Sequence, residues 1–330
     1  MGTLYGKGVW LIRSTYIDLA IEMAQEIGAT HIFYRTGHQG MFFPEAALRV
    51  ARRARSVGLT PFAWLSAPTD HPAEIARIAR RSAEQGYRGL ILNVVLASPQ
   101  AARSIETLGH RLVDAGLNPE AIYYSAPPGI SRHPEIPYQE LNRFCRGGMM
   151  PWCTPHLGKP PEVAIHKWTY EEHQRWSQIW GYAPPLYPVL SPCRGGERNE
   201  PLTPTEFSRW TAALAEHRPT FFSVFHVAAT PRDVWPLLSE LEVPRPPQPI
   251  ELPSLLEPAR PAAQPEEKGP TDKPAPLLIT VQVSDTVRSL CEQYGCTKEQ
   301  FWEWNGYLWD ERGWPRDANY LQPGWRVRVR

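Results

Sequence analysis

Three things are scarce in this 330-residue chain. It has almost no net charge: 35 Lys and Arg stand against 34 Asp and Glu, a formal +1. A dedicated nucleic-acid binder shows a strongly basic domain, so that class is set aside. Long apolar runs are missing too. The stretch Gly89–Ala97 is among the longest, far short of the roughly 20 residues a membrane span needs. Cysteine is sparse and odd in number, at positions 145, 153, 193, 291 and 296, with no CxxC pair. That is no disulfide framework. The first ten residues, Met1 to Trp10, show no basic segment followed by an apolar stretch and a small-residue cleavage site. The expectation is cytoplasmic synthesis without a signal peptide, in a reduced state.

Two residue types are abundant instead: 36 Pro and 13 Trp. Part of the Pro is concentrated. Between Pro244 and Pro276 there are eleven in 33 residues, among Glu, Lys, Ala and Gln. Such a stretch reads as an extended, semi-rigid linker. It divides the chain into residues 1–243, the linker 244–276, and a compact piece 277–330.

The first part has a rhythm. Short apolar, β-branched or aromatic runs alternate with segments of helical period. The runs are Gly8–Arg13, Thr30–Arg35, Thr60–Leu65, Gly89–Val95, Ala121–Ser125, Gly148–Cys153, Leu186–Leu190 and Phe221–Val227. Helical stretches follow, such as Tyr16–Ile27, Pro44–Val57, Pro72–Gln85 and Pro204–His217, with a short one near Pro137–Cys145. Pro in the first turn of several, and Gly just past the end at 28, 58, 86 and 116, fit helix starts and stops. Eight βα units in about 235 residues predict an α/β fold, a closed (β/α)8 TIM barrel. A doubly wound open sheet is the competitor, but strand one runs into Arg13-Ser14-Thr15 without a glycine fingerprint.

The last 50 residues read strand, helix, helix, strand: Ile279–Val283, Val287–Tyr294, Lys298–Trp304 and Arg326–Val329. This is too small for an enzyme and large enough for a binding module. Val281, Val283, Asp285, Thr286, Leu290, Gly295, Phe301, Asn305, Leu321, Pro323, Gly324 and Val327 stand in the order and spacing of a LysM domain, which the segment resembles. Ser284 departs from the family's usual Gly, and the loop Tyr307–Tyr320, with Trp309 and Trp314, is longer than usual. The resemblance implies a βααβ fold and binding of N-acetylglucosamine glycans such as peptidoglycan, or docking onto tail or baseplate proteins. Its candidate contact residues are Ser284, Asp285, Thr286, Asn305, Trp309 and Trp314.

The barrel weakly resembles lysozyme-like glycoside hydrolase barrels in Gly28-Ala-Thr-His-Ile-Phe33, Gly58-Leu-Thr-Pro-Phe-Ala-Trp64 and Gly86-Tyr-Arg-Gly-Leu-Ile-Leu-Asn93. That resemblance implies an acid at the end of strand four, commonly in Asp-x-Glu. Here the residues are Asn93-Val94-Val95. Glycoside hydrolysis needs two flanking carboxyls. Around the strand ends only Asp70, Glu197 and Glu200 are acidic, and all lie in loops. Cys153, His156, Cys193 and His226, from three consecutive strand ends, are a soft set that could take zinc or simply pack. Ser191 with His226 lacks a GxSxG elbow. The basic run Arg49, Arg52, Arg53 and Arg55 reads as a solvated helix face. Trp168, Trp176, Trp180 and Trp210 fall at helical positions, as core first and partner anchors second. No cofactor is expected.

Together these features lead to an expectation: a non-catalytic binding or structural protein, a component of a phage-tail-like or contractile-injection baseplate or a peptidoglycan binder. It would be assembled into a particle or released to the cell wall. The alternative is a peptidoglycan hydrolase with a LysM targeting domain. A surface-attached or cytosolic glycan-binding protein is a third class.

Overall fold

The structure is a computed structural model. It describes residues 3–38, 40–66, 71–94, 101–194, 200–244, 252–256, 277–282, 285–305, 321 and 326–329. The chain divides into two compact units, Met1–Arg260 and Pro261–Arg330.

The first unit is a closed, all-parallel eight-stranded barrel in which each strand pairs with the next and the last with the first. The strands are β1 Gly6–Leu11, β2 His31–Arg35, β3 Thr60–Ser66, β4 Gly89–Asn93, β5 Ile122–Ala126, β6 Gly148–Cys153, β7 Val189–Leu190 and β8 Phe221–Val224. Closure is in register, with Gly6 opposite Phe221 and Val9 opposite Val224. Parallel strands are covered on both faces, which is why these segments read as nearly continuous apolar runs. The helices outside are α1 Ile17–Ile27, α2 Pro44–Ser56, α3 Pro72–Glu84, α4 Ala101–Asp114, α5 Tyr138–Phe144, α6 Glu172–Trp180, α7 Pro204–Ala215 and α8 Trp235–Glu240. In α1 the buried residues Ile17, Ala20, Ile21, Ala24 and Ile27 recur at helical spacing and face the strands. Thr203 starts α7 with a reciprocal capping box, its hydroxyl accepting from the Glu206 N–H and its own N–H donating to the Glu206 carboxylate.

Strand alternation sends one residue set into the barrel and the other outward to the helices. The inward set is aromatic: Trp10, Phe33, Phe62, Trp64, Tyr123, Tyr187 and Phe221, with Ile91, Met150 and Val189. Rings of this size fit because glycines stand opposite them. A Cβ on Gly8 would lie 2.7 Å from the Phe33 ring, and one on Gly89 would lie 2.6 Å from Phe62. His31 is buried at the lower end of this stack, edge-on to Phe62 and Phe221.

Two features depart from the sequence reading. The sequence pattern places the sixth helix at Tyr170–Trp180, and in the structure helical winding starts earlier. A π-wound segment, Glu162–Glu171, runs directly into α6. Within it the Thr169 hydroxyl donates to the carbonyl of Ala164. A π-wound stretch breaks the 3.6-residue period, so the apolar pattern there does not read as helix. The second departure lies inside the Pro-rich stretch. Leu252–Leu256 belongs to the first unit: Leu255 is buried, its carbonyl accepts from the Asn118 N–H at 3.0 Å, and Leu256 bridges Leu117.

The second unit, described by itself, has β9 Leu278–Thr280 antiparallel to β10 Arg326–Arg328, with α9 Val287–Tyr294 and α10 Lys298–Trp304 between them. Both helices begin with a Thr capping box, Thr286 with Ser289 and Thr297 with Gln300. Val281, Val287, Leu290, Phe301, Trp302, Val327 and Val329 form its core. Among the described residues no helix is long and apolar enough to cross a membrane.

Candidate functional site at the barrel mouth

Barrel enzymes carry their sites where the strands end. At that end the structure has a pocket of about 270 Å³. Three aromatic rings give it its walls: Trp10 from β1, Trp152 from β6 and Phe225 just past β8. Trp10 and Phe225 meet edge to face at 5.7 Å. Both indoles are held by their N–H groups. Trp10 donates to the Ser223 hydroxyl at 2.9 Å, and Trp152 donates to the Ser125 hydroxyl, which itself donates to the Met150 carbonyl. Each ring is therefore fixed in orientation before anything binds.

The polar lining is Asn93, Thr154, His156, Ser191, Cys193 and His226. Desolvation lowers the pKa of both His156 and His226 below the usual histidine value. They are neutral imidazoles at neutral pH, able to donate and accept. His156 Nδ1 sits 2.5 Å from the Thr154 hydroxyl. Burial raises the Cys193 thiol, which donates to the Ala229 carbonyl at 2.8 Å. That thiol is protonated and a poor nucleophile or ligand. Among the described lining residues there is no carboxylate.

The proposed zinc set does not assemble. Trp152 faces into the barrel, so Cys153 beside it faces the helix layer, where it contacts the Thr169 hydroxyl at 3.2 Å and burial pushes its thiol up to about 12. His156, Cys193 and His226 do line the pocket. No group of three or more His, Cys, Asp or Glu among the described residues could hold a metal ion. Strand parity acts the same way on β5: Tyr124 points outward and donates to Asn142 Oδ1, while Ser125 points in.

Of the three loop acids, Asp70 and Glu197 lie outside the described residues. Glu200 is exposed, and its carbonyl accepts from the Arg194 N–H at 2.9 Å. A bridge between Cys193 and Pro201 and a bond from the Leu202 N–H to Pro192 pin both ends of this loop beside Cys193 at the pocket edge. The loop carrying Asp70 departs from Ser66, at the same end of the barrel.

In the second unit, Thr286 caps α9, accepting from the Ser289 N–H, and Asp285 accepts from the Gln282 N–H at 2.7 Å. Asn305 is fully buried. Its amide donates to the carbonyls of Phe301 and Arg328, and its oxygen accepts from the Arg328 N–H. This side chain clamps the end of α10 to β10, so its polar atoms are taken by the fold. Ser284, Trp309 and Trp314 lie outside the described residues.

Trp10 and Phe225 are site residues that the sequence reading missed. Strand one was read as running to Arg13, which put Arg13 and Ser14 at its tip. The strand ends at Leu11, and alternation from Gly8 places Trp10 inward. That parity was the available signal.

The barrel defines the class of fold: a (β/α)8 domain resembling those of glycoside hydrolases. No protein-family model and no curated protein sequence matches the chain. Among solved structures, active domain 2 of a thermostable chitinase from Pyrococcus furiosus superposes with a TM-score of 0.54 at 10% identity, covering 72% of this chain and 94% of that one. A GH18 chitinase from Cycas revoluta, solved with (GlcNAc)3, gives 0.52 at 11%, covering 72% and 98%. The spore cortex-lytic enzyme SleL of Bacillus megaterium gives 0.51 at 10%, covering 74% and 76%. At such identity the likeness is one of fold. It nonetheless corrects the expectation of a non-catalytic structural component of a tail-like particle. The barrel's structural neighbours are carbohydrate-cleaving enzymes, and the hydrolase alternative is the reading carried forward.

Proposed function

We propose that the chain is a glycoside hydrolase of the barrel type acting on a polymer that contains N-acetylglucosamine, such as peptidoglycan. One observation carries this reading: a pocket at the catalytic end of the barrel, walled by oriented aromatic rings and dotted with neutral hydrogen-bonding groups. A sugar ring has apolar C–H faces and polar edges, and aromatic walls with a few placed polar groups match that chemistry. The neighbouring folds are chitinases and a cortex-lytic enzyme, which supports the same class of substrate.

In this reading the pocket binds and orients one ring, and the loops after β3 and β7 bring the carboxyls. Asp70 and Glu197 are the acid–base candidates and Glu200 the reserve. The β4 end cannot serve, because Asn93 has no proton to give or take at neutral pH. The second unit, with its LysM-like sequence, holds the enzyme on its polymer.

The test is release of reducing ends from purified peptidoglycan and from chito-oligosaccharides. Wild type should release them. Asp70→Asn or Glu197→Gln should lower the rate by at least about a hundredfold, the lower range for loss of a general acid or base. No release from either substrate, or release untouched by Asp70→Asn, Glu197→Gln and Glu200→Gln alike, overturns the proposal.

A further inference from the structure

The mouth of the barrel has a second side, next to the aromatic pocket. Along β2 the alternate residues His31, Phe33 and Arg35 share the inward face, so the last of them carries its guanidinium to the opening. Arg35 pairs in register with Trp64 of β3 and lies over its ring, 5.6 Å from the centroid. Trp64 in turn meets Trp10, a wall of the pocket, edge to face at 5.7 Å. Two ring contacts therefore lead from the pocket to this cation, and the aromatic face beneath it holds it in place.

The unusual feature is the missing counter-charge. Elsewhere on the first unit arginines are matched: Arg53 with Asp18, Arg194 with Glu206 and Arg232 with Glu22. Among the described residues no carboxylate pairs with Arg35. Its Nε is buried without a partner and out of reach of any ligand, whereas its two terminal nitrogens are accessible and bond to no described residue. The cations around it share its sign. Arg13 stands exposed just past β1, and Arg49 donates to the adjoining Ser14 at 2.9 Å. Desolvation first, and the field of Arg13 as well, lower the Arg35 pKa, though a guanidinium stays charged at any ordinary pH. A half-buried cation left unpaired among like charges is costly by itself and is relieved by an anion. The pocket beside it is lined without a carboxylate and by neutral imidazoles, so a preference of the mouth for charge originates at this arginine.

We propose that Arg35 is a specificity-determining residue whose terminal nitrogens hold a carboxylate on the glycan unit next to the one seated in the pocket. The planar fork matches a carboxylate with two parallel bonds, and Arg13 adds attraction at longer range. The carboxylate belongs to the sugar itself, as in the lactyl group of N-acetylmuramic acid, or to a short peptide attached to it; the chemistry is the same. The inference rests on the reading of the mouth as a glycan site, but not on the glycan being cut there. It makes an acidic polymer, rather than chitin, the preferred ligand.

Calorimetric titration of the full chain tests this with one tetrasaccharide of alternating N-acetylglucosamine and N-acetylmuramic acid in three forms: free carboxylates, carboxamides, and carboxylates extended by peptide stems. Wild type should bind a carboxylate form about tenfold or more tightly than the carboxamide, the usual worth of a charge-assisted pair. A preference shown by the free acid assigns the sugar's own carboxylate, and one shown only by the stem form assigns the peptide's. Arg35→Met should abolish the preference and leave carboxamide affinity unchanged. Arg35→Lys, which keeps the charge without the fork, should retain part of it. Arg35→Met removes an unpaired charge and should melt no lower than wild type; if it does not fold, Arg35→Lys and the exposed Arg13→Gln carry the test, each reducing the preference. Equal wild-type affinity for all three forms overturns the proposal while the glycan reading stands. So does an Arg35→Met that weakens all three alike. Binding of none of them removes the glycan reading, and this inference with it.

Discussion

Replacing Asn305 by Ala should destabilise the second unit and leave the barrel unaffected. The side chain is fully buried and makes three hydrogen bonds, two as donor and one as acceptor. Alanine keeps the backbone but strands the Arg328 N–H and two carbonyls at the junction of α10 and β10. An unsatisfied buried group costs about 1–3 kcal/mol, and part of this junction reaches water, so about 2 kcal/mol is the expected loss. A unit this small has only about 3–5 kcal/mol to lose. At roughly 4–8 °C per kcal/mol for small domains, the midpoint of the second unit should fall by about 8–16 °C. Calorimetry on the full chain would show one transition moving and the barrel transition staying in place. Asn305→Asp retains an acceptor for the Arg328 N–H but turns a buried carboxylate oxygen toward two carbonyls, and should cost at least as much as Ala. If Asn305→Ala melts like wild type yet loses binding to peptidoglycan, the clamp reasoning is refuted and Asn305 is a glycan contact.

Other expectations follow from the barrel. Trp152→Ala should weaken chito-oligosaccharide binding about thirtyfold, as for a buried aromatic anchor. Isothermal calorimetry with an unchanged circular-dichroism spectrum checks it, and unchanged affinity would move the sugar site elsewhere. Gly8→Ala should cost about 1–3 kcal/mol by overpacking, because its Cβ would lie 2.7 Å from Phe33 and 2.9 Å from Phe221. The companion change Phe33→Leu should recover part of that loss in denaturant melts. Acid should destabilise the barrel through His31, whose folded pKa burial lowers to about 3. Above the unfolded value near 6.5 both states are neutral and nothing is lost. Between about 6.5 and 3 only the unfolded state takes the proton, so stability falls by up to about 1.4 kcal/mol per pH unit. His31→Gln should flatten that slope, and an unaltered slope would show that other groups set it.

The barrel was legible because a parallel strand buried on both faces leaves few polar letters, and a Gly or Pro marks most helix ends. What stayed hidden has physical causes. The helical turn from Glu162 was masked by its π winding. Leu252–Leu256 was masked by the prolines around it, although a Leu-Pro-Ser-Leu-Leu run is itself a signal that something there will pack. At the mouth, residue identity was read well and direction poorly. His156, Ser191, Cys193 and His226 do converge, but Cys153 points the other way, since it is one step out of phase with the inward Trp152. A one-residue uncertainty in where a strand ends reverses that assignment. The missing β4 acids were visible in the sequence at Asn93 and Val95. Their absence favoured inertness only for as long as loops were discounted as a source of carboxyls.

The aromatic stack under the mouth makes the barrel a cup rather than a tube. Phe33, Phe62, Tyr123, Tyr187 and Phe221 close it from below, and each is almost wholly buried. Anything that enters between Trp10, Trp152 and Phe225 leaves by the same opening. A long chain therefore cannot thread through; under the proposed function it would lie across the rim and dip one ring into the pocket, or present its end. Water reaches the bottom of that pocket only from above, so a seated ring is also a stopper.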